Sequence, residues 1–592
     1  MGCVAGAGGG RVSANARVRR CAGWSLLLAA MLGGCARPSP PPGTDQVQVW
    51  TTTADHRLAL APSRVGFDAG DAVDGATTGA ALIEIDASAR HQQMVGFGVS
   101  ITDASAWLIR QKMSPAQREA LLRELFGRDD DGIGFDFARL TIGASDFSRH
   151  HYSLDDPPEG QPDPALRHFS LDVNRGDLIP VARQALAINP ELWIMASPWS
   201  APAWMKTSDA LGNGSLLPEY YAAYADYFVK FIQAYAAADV PIYAITLQNE
   251  PHHEPYSYPG LRMEPEEAAV FVKEHLGPAF EAAGLETKIL IWDHNWDEPE
   301  YPIALLDDPE AKAFVDGTAF HCYGGTVIAQ GLVHDAHPDM DIYFTECSGG
   351  AWIPSFAEGI KRDMKDLVIG STRNWGKTVI KWNLALDSSY GPHNGGCGNC
   401  YGFVTIVPET ETGFTFNYDY YSIGHASKFV TPGAYRIAST SFQYEGLESV
   451  AFQNPDDSKV LIVSNSYTTD KAFTVQWGDQ SFVYTLPSGT IATFIWDGTQ
   501  VVSSKPTPPT NLKVRAPGDK LIINWEFSPL ADSYTLKRAD TAGGPYTVIA
   551  TDIRVPEYFD TETVTGGSYS YVVSAVNAFG ESSDSAEAGT TP

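Results

Sequence analysis

The chain reads as an α/β protein built on a (β/α)8 TIM barrel. A satellite β-sandwich drawn from both flanks and an Ig-like β-sandwich at the C-terminus complete the expected architecture. Three patterns predict this. Between residues 91 and 430, short apolar β-runs alternate with amphipathic helical stretches, the rhythm of a parallel barrel. On either side, residues 47–90 and 431–498 alternate apolar and polar positions without helical periodicity. Beyond a proline-rich break, residues 509–592 return to strand and turn.

At 592 residues the chain is long enough for several domains, and 44% apolar content supports a large core. The net charge of −30 argues against nucleic acid or an anionic membrane surface as a ligand, because both repel an acidic protein. Solubility is the plainer use of that acidity.

The N-terminus has the form of an export signal. Arg11, Arg17, Arg19 and Arg20 precede an apolar run from Ala22 to Leu32, well short of the roughly 20 residues that span a bilayer. Leu32-Gly-Gly-Cys35 resembles a bacterial lipobox, which makes residues 1–35 a lipoprotein signal and Cys35 the lipidated residue. Residues 36–46, with Arg37-Pro-Ser-Pro-Pro-Pro-Gly43, form an extended tether. Ala36 after the cysteine resembles the pattern sorted to the outer membrane. The expectation is an exported protein, periplasmic or at the cell surface, that meets the membrane through its lipid anchor only.

The satellite domain shows its alternation in Gln46-Val-Gln-Val-Trp50, Ala81-Leu-Ile-Glu-Ile-Asp86 and Lys459-Val-Leu-Ile-Val-Ser464. Neither flank closes a sandwich alone, so the two are expected to pair. The barrel strands are read at Val95–Gly98, Phe137–Ile142, Leu192–Ala196, Tyr243–Leu247, Ile289–Trp292, Ala319–His321, Ile342–Thr345 and Val379–Trp382. Helices are expected over Pro115–Leu125 and Pro218–Ala236. Residues 499–508 form a linker containing Ser503-Ser-Lys-Pro-Thr-Pro-Pro509. After it, Trp525, the Gly543-Gly-Pro-Tyr546 turn, Tyr569, Tyr571 and Asn577-x-x-Gly-Glu581 resemble a fibronectin type III module, read here as a spacer.

Four cysteines follow the signal: Cys322, Cys347, Cys397 and Cys400. An oxidising compartment permits disulfides. Cys397 and Cys400 close a tight loop and are the disulfide candidate; a lone C-x-x-C without a second pair points away from zinc.

Two glutamates carry the chemistry. Glu250 and Glu346 each sit at the C-terminal end of an apolar β-run, where a carboxylate is costly unless it has a task. A parallel barrel gathers such strand ends at one mouth. Paired carboxylates there suit cleavage of a glycosidic bond, one protonating the leaving oxygen and the other attacking the anomeric carbon. Asn249 offers an amide to a sugar 2-hydroxyl. His252 and His253 lack zinc-site spacing, and neither a metal cluster nor a phosphate cradle stands out, so no cofactor is expected.

A set of spaced motifs then resembles glycoside hydrolase family 30, the clan-A barrel enzymes that include glucosylceramidases. It spans about residues 80–495. It comprises Gln93–Ser105 with Asp103, Arg139 followed by Asp146-Phe-Ser148, Ser197-Pro-Trp-Ser-Ala-Pro-Ala-Trp-Met-Lys206 with Trp199, Gln248-Asn-Glu-Pro251, His321-Cys-Tyr323, Thr345-Glu-Cys-Ser-Gly349 and Lys381-Trp-Asn-Leu-Ala-Leu-Asp387 with Trp382. The resemblance implies that Glu250 is the acid/base and Glu346 the nucleophile of a retaining β-glycosidase. It implies sugar contacts from Asp103, Asp146, Asn249, His321 and Tyr323, faces from Trp199 and Trp382, and Arg139 beside Glu346. The proton-bearing glutamate is expected to be Glu250.

On these motifs the expected activity is glucosylceramidase-like, within sphingolipid and carbohydrate metabolism. The substrate would be a β-glucoside, glycolipid or glucan. The loop Gly391-Pro-His-Asn-Gly-Gly-Cys-Gly-Asn-Cys400 departs from the glucosylceramidase pattern and looks more like members that include β-1,6-glucanases, the alternative. A catalytically silent carbohydrate-binding lipoprotein is the rival from another class.

Overall fold

The computed structural model describes residues 46–67, 81–128, 132–442, 446–501, 505–516, 521–526, 528, 530–564 and 567–590. The expected signal, Cys35 and the tether to residue 45 lie outside them. Among the described residues no helix is long and apolar enough to cross a membrane.

Eight parallel strands form the barrel: β1 (Gly96–Ser100), β2 (Phe137–Ile142), β3 (Trp193–Pro198), β4 (Ala244–Thr246), β5 (Lys288–Asn295), β6 (Gly317–His321), β7 (Asp341–Glu346) and β8 (Thr378–Lys381). Each pairs with the next from β1 to β7, and β8 pairs with β1. The β7–β8 seam closes with Lys377 N–H donating to the Ile342 carbonyl (2.8 Å) and Phe344 N–H to Thr378 Oγ1 (3.1 Å). Every residue of β1, β2, β6 and β8 is buried, as parallel strands covered on both faces require. One apolar layer inside takes a single residue from each of β2 to β8: Phe137, Met195, Ala244, Leu290, Ala319, Tyr343 and Ile380.

The outer helices follow the sequence signals. Helix Pro115–Phe126 starts with a capping box between Ser114 and Gln117. The stretch from Pro218 begins with one 3₁₀ turn, and the α-helix runs Tyr221–Ala236 with its apolar face inward. Strand β4 is shorter than expected because the chain leaves the barrel wall after Thr246 and turns at Glu250, which has a left-handed φ of 50°.

The flanks merge into one nine-stranded sheet. Its order is Ala61–Gly66, Gln46–Thr52, Thr490–Trp496, Lys459–Asn465, Leu447–Gln453, Tyr435–Ser439, Ala81–Gln93, Lys471–Trp477 and Gln480–Leu486. Val47 and Ile83 from the N-terminal flank share a core with Phe473, Trp477, Phe482, Phe494 and Trp496 from the C-terminal one. The C-terminal residues form two packed sheets, Thr510–Arg515 with Leu521–Glu526 and Glu557–Asp560, and a second sheet centred on Ser533–Ala539 and Ser570–Asn577. Trp525, Tyr534 and Tyr571 fill the space between them. This module touches the rest of the chain: Arg515 pairs with Asp335 on helix Ile328–Ala336 at 2.5 Å, and Ser88 Oγ donates to the Ala531 carbonyl.

One buried ion triad ties outer layers to the barrel. Lys381, at the end of β8, contacts Asp363 (2.9 Å) and Asp419 (2.7 Å), all nearly solvent-free. Replacing Lys381 with methionine strands two buried carboxylates. The expected loss is about 3–5 kcal/mol of folding free energy, read as a lower denaturant midpoint.

Candidate active site

The site grows from the C-terminal ends of β2 to β8. Arg139 on β2 is fully buried. It donates from Nη1 to Glu346 Oε2, from Nη2 to Asp293 (2.7 Å) and Asn249 Oδ1 (2.7 Å), and from Nε to Ser197 Oγ (3.2 Å). Asp293, near the end of β5, is also fully buried. Its Oδ2 accepts from Arg139, Ser197 (3.0 Å) and Thr246 (2.8 Å), and its Oδ1 from Thr345 (2.7 Å) and His321 (3.0 Å). One carboxylate thus gathers donors from β2, β3, β4, β6 and β7. Its carbonyl also accepts the Glu250 N–H at 3.0 Å. Asp293 and Trp292 both hold left-handed backbone (φ 53° and 72°) at a register shift between β5 and β6. Strain of this kind persists where the surroundings over-determine it.

Around this hub the two glutamates meet. Glu250, Glu346 and His321 each bring a donor or acceptor atom to within 4.8 Å of the others. That is close to the roughly 5–5.5 Å carboxyl separation of retaining glycosidases. His321 Nδ1 lies 3.1 Å from Glu250 Oε1, and Tyr323 donates its hydroxyl to Glu346 Oε1 at 2.9 Å. Glu346 therefore has a donor on each oxygen. Asn249 accepts from Arg139 with its carbonyl, which leaves its NH₂ to donate.

The electrostatics differ from the expected order. Burial works against a charged His321, but the charges of Glu346 and Asp293 and two hydrogen bonds outweigh it and raise the imidazole to about 9. Burial alone would raise Glu250, yet the hydrogen bond and charge of His321 hold it at about 2. Burial pushes Glu346 up, against the pull of His321 and Arg139, with Glu250 adding to the rise. These opposite directions favour a charged His321 beside an ionised Glu250, one hydrogen bond away. Burial and the nearby charges of Glu346 and Glu250 raise Asp146 well above the usual carboxylate range, so it can donate to a sugar hydroxyl.

The remaining expected residues fall as follows. Trp199 and Trp382 stack on each other, 5.0 Å between centroids, with the Arg139 guanidinium 4.9 Å from the first ring. They form one joint wall rather than two separate platforms. Asp103 accepts from the Arg149 guanidinium and backbone, so a sugar hydroxyl would share its carboxylate with that cation. Cys397 and Cys400 are joined, and so are Cys322 and Cys347, a bond the sequence reading did not pair. The 391–400 loop closes over Asp146: Asn394 N–H donates to the Asp146 carbonyl, and a Cβ on Gly396 would meet its carboxylate. Asp293 and Thr246 were missed, and Ser197 and Thr345 stood in the motifs without an assigned role. The one signal was the polar Asp293-His-Asn295 directly after an apolar strand run. Glu250, His321 and Glu346 are spaced for a cation, but a protonated imidazole has no lone pair for one. His334, Asp335 and Glu557 converge at the seam with the C-terminal module, where Arg515 already pairs with Asp335.

A model of the glycosyl hydrolase family 30 TIM-barrel domain matches residues 94–430, and one of that family's β-sandwich domain matches residues 433–494. The chain belongs to glycoside hydrolase family 30. It is a β-glycosidase with a barrel and an attached β-sandwich. Among its family 30 relatives, an endo-1,6-β-D-glucanase of Aspergillus fumigatus is 35% identical over 437 residues, 69% of this chain and 86% of the relative. The lysosomal acid glucosylceramidase of Mus musculus is 31% identical over 440 residues, 70% of this chain and 83% of the relative. The solved structure of the endo-β1,6-glucanase BT3312 superposes with a TM-score of 0.70 at 36% identity, covering 77% of this chain and all of that one.

The raised His321 sets a pH dependence of stability. A group whose folded pKa lies above its unfolded value stabilises the fold below the unfolded value, and that contribution is lost as pH rises through the folded one. For His321 the window runs from 6.5 to about 9. Across it the native protein should lose roughly 3 kcal/mol that His321→Gln does not lose, measured by denaturant unfolding at a series of pH values.

Proposed function

We propose that this family 30 enzyme hydrolyses β-1,6-glucan within the chain, with retention at the anomeric carbon. The observation that carries the reading is the Glu250–Glu346 pair, whose carboxylate oxygens approach within 4.8 Å across the barrel mouth. In this mechanism Glu346 attacks the anomeric carbon while Glu250 protonates the departing glycosidic oxygen. Arg139 and Tyr323 orient Glu346, and His321 returns its proton to Glu250 as substrate displaces water and reduces the anion's need for the imidazolium. Glu250 then takes a proton from the water that opens the glycosyl-enzyme. Asn249 donates to the 2-hydroxyl, and Asp146 and the Trp199–Trp382 wall hold the sugar.

Glucan is favoured over a ceramide aglycone by the relatives named 1,6-glucanases and by the rim. The 391–400 loop is made of glycine, proline, histidine, asparagine and a disulfide, a polar border unlike one that would shelter the two hydrocarbon chains of a ceramide. Tyr256 (87% exposed) and Trp352 (42%) offer faces to further sugar units. We further assign the C-terminal module to the fibronectin type III class from its two-sheet packing and its sequence motifs, and residues 1–35 to a lipoprotein signal that directs the enzyme to the outer membrane through Cys35.

A substrate panel tests the reading. Wild type should release gluco-oligosaccharides of mixed length from β-1,6-glucan and hydrolyse glucosylceramide at least about tenfold more slowly; the reverse preference would favour the ceramide reading. Glu346→Gln and Glu250→Gln should each lower kcat by roughly 10²–10⁴-fold or more. Binding of glucan without any sugar release by wild type would show a silent binding protein instead.

A further inference from the structure

We propose that the Cys322–Cys347 disulfide is a positioning element of the reaction, holding His321 and Tyr323 in register with Glu346. The inference rests on the catalytic assignment of Glu250 and Glu346. Cys322 directly follows His321 at the end of β6, and Cys347 directly follows Glu346 at the end of β7. The bond therefore joins two strand ends one residue beyond the groups that must face each other.

The backbone there needs such a tie. The β6–β7 ladder is regular from Asp341 to Phe344 and then shifts register, so that Glu346 rather than Thr345 pairs with His321. A shifted ladder loses hydrogen bonds at the point where alignment matters most. The cysteine Cα atoms stand 5.4 Å apart just past this irregularity. Cys347 is buried, and its carbonyl accepts the Trp382 N–H at 3.0 Å, which extends the tie to the segment after β8 and to the Trp199–Trp382 wall. On the other side, Tyr323 is 43% exposed, on a loop held by its N–H to Asn295 Oδ1 (3.0 Å). Its hydroxyl reaches Glu346 only while the loop stays against β7. Cys322 is half-buried, and Arg362 Nη2 lies 3.9 Å from its Sγ.

A bond that merely stabilises would change the melting temperature and leave the chemistry intact. A bond that positions must change kcat and the titration of His321, because that titration depends on the distances from His321 to Glu250, Asp293 and Glu346. Misplacement by about 1 Å is enough to cost roughly 10²-fold in rate.

The test uses the full chain. Oxidised wild type is compared with Cys322→Ser/Cys347→Ser, and with wild type treated with dithiothreitol, which supplies two electrons and two protons and leaves two thiols. The readouts are kcat, KM and the pH profile on an aryl β-glucoside below the melting temperature. The expected result is a kcat lowered about tenfold or more, KM within about twofold, and an alkaline limb moved to lower pH. If the double variant does not fold, reduction decides: a folded Cys397→Ser/Cys400→Ser variant is assayed before and after dithiothreitol as its own reference, so that the change in kcat and alkaline limb is read from Cys322–Cys347. An unchanged kcat and alkaline limb, whatever the melting temperature, overturns the proposal. Inactivity of the oxidised wild type on every β-glucoside overturns the catalytic assignment, and the proposal with it.

Discussion

The buried pair of Arg139 and Asp293 is the constraint on which the rest of the site depends. Two ions this deep are held only because each finds its charge and its hydrogen bonds together. Asp293 accepts five side-chain hydrogen bonds and Arg139 donates four, so the pair ties together six strands, β2 to β7, at once. The barrel supplies convergence of strand ends, but a barrel alone leaves each end free to adjust. The ion pair removes that freedom. It sets Glu346 through the guanidinium, Glu250 through the Asp293 carbonyl, Asn249 through its side chain and His321 through the second carboxylate oxygen.

The same cluster manages charge. Glu250, Glu346 and Asp293 face Arg139 and His321, with Asp146 close by. Several carboxylates crowd two cations here, which leaves little room for a further negative charge, and burial makes each unpaired ion expensive. Asp146 is accordingly driven towards its neutral form, and His321 is driven towards its charged form. The charged form of His321 and the ionised form of Glu250 are thus favoured together, one hydrogen bond apart. A sugar that displaces water and occupies these polar groups changes the balance at the moment the proton is needed.

Much of this architecture could be read from sequence because it depends on short-range pattern. Period-two alternation in the flanks and apolar β-runs in the middle reflect which side chains face a core, and Gln248-Asn-Glu-Pro251 and Thr345-Glu-Cys347 mark strand ends with an uncommon polar residue. The hub was not legible. Asp293 follows Trp292 in what reads as the fading end of a strand, and nothing local says that five donors from other strands will converge on it. The Cys322–Cys347 bond was hidden for a similar reason: each cysteine lies beside a residue already noted, but their proximity comes from adjacent parallel strands and not from spacing. The proton order was hidden too, because it depends on His321 lying between two carboxylates. The 391–400 loop, by contrast, announced its departure in composition, and in the fold it closes over Asp146.

The central claim is that this network presents Glu346 as the nucleophile of a two-step displacement. The most direct measurement is mass spectrometry of the full-length enzyme after reaction with an activated 2-deoxy-2-fluoro-β-glucoside, followed by peptide mapping. The account predicts one covalent glycosyl adduct, located on Glu346. A label on Glu250, or turnover that yields product of inverted configuration without any adduct, would contradict it.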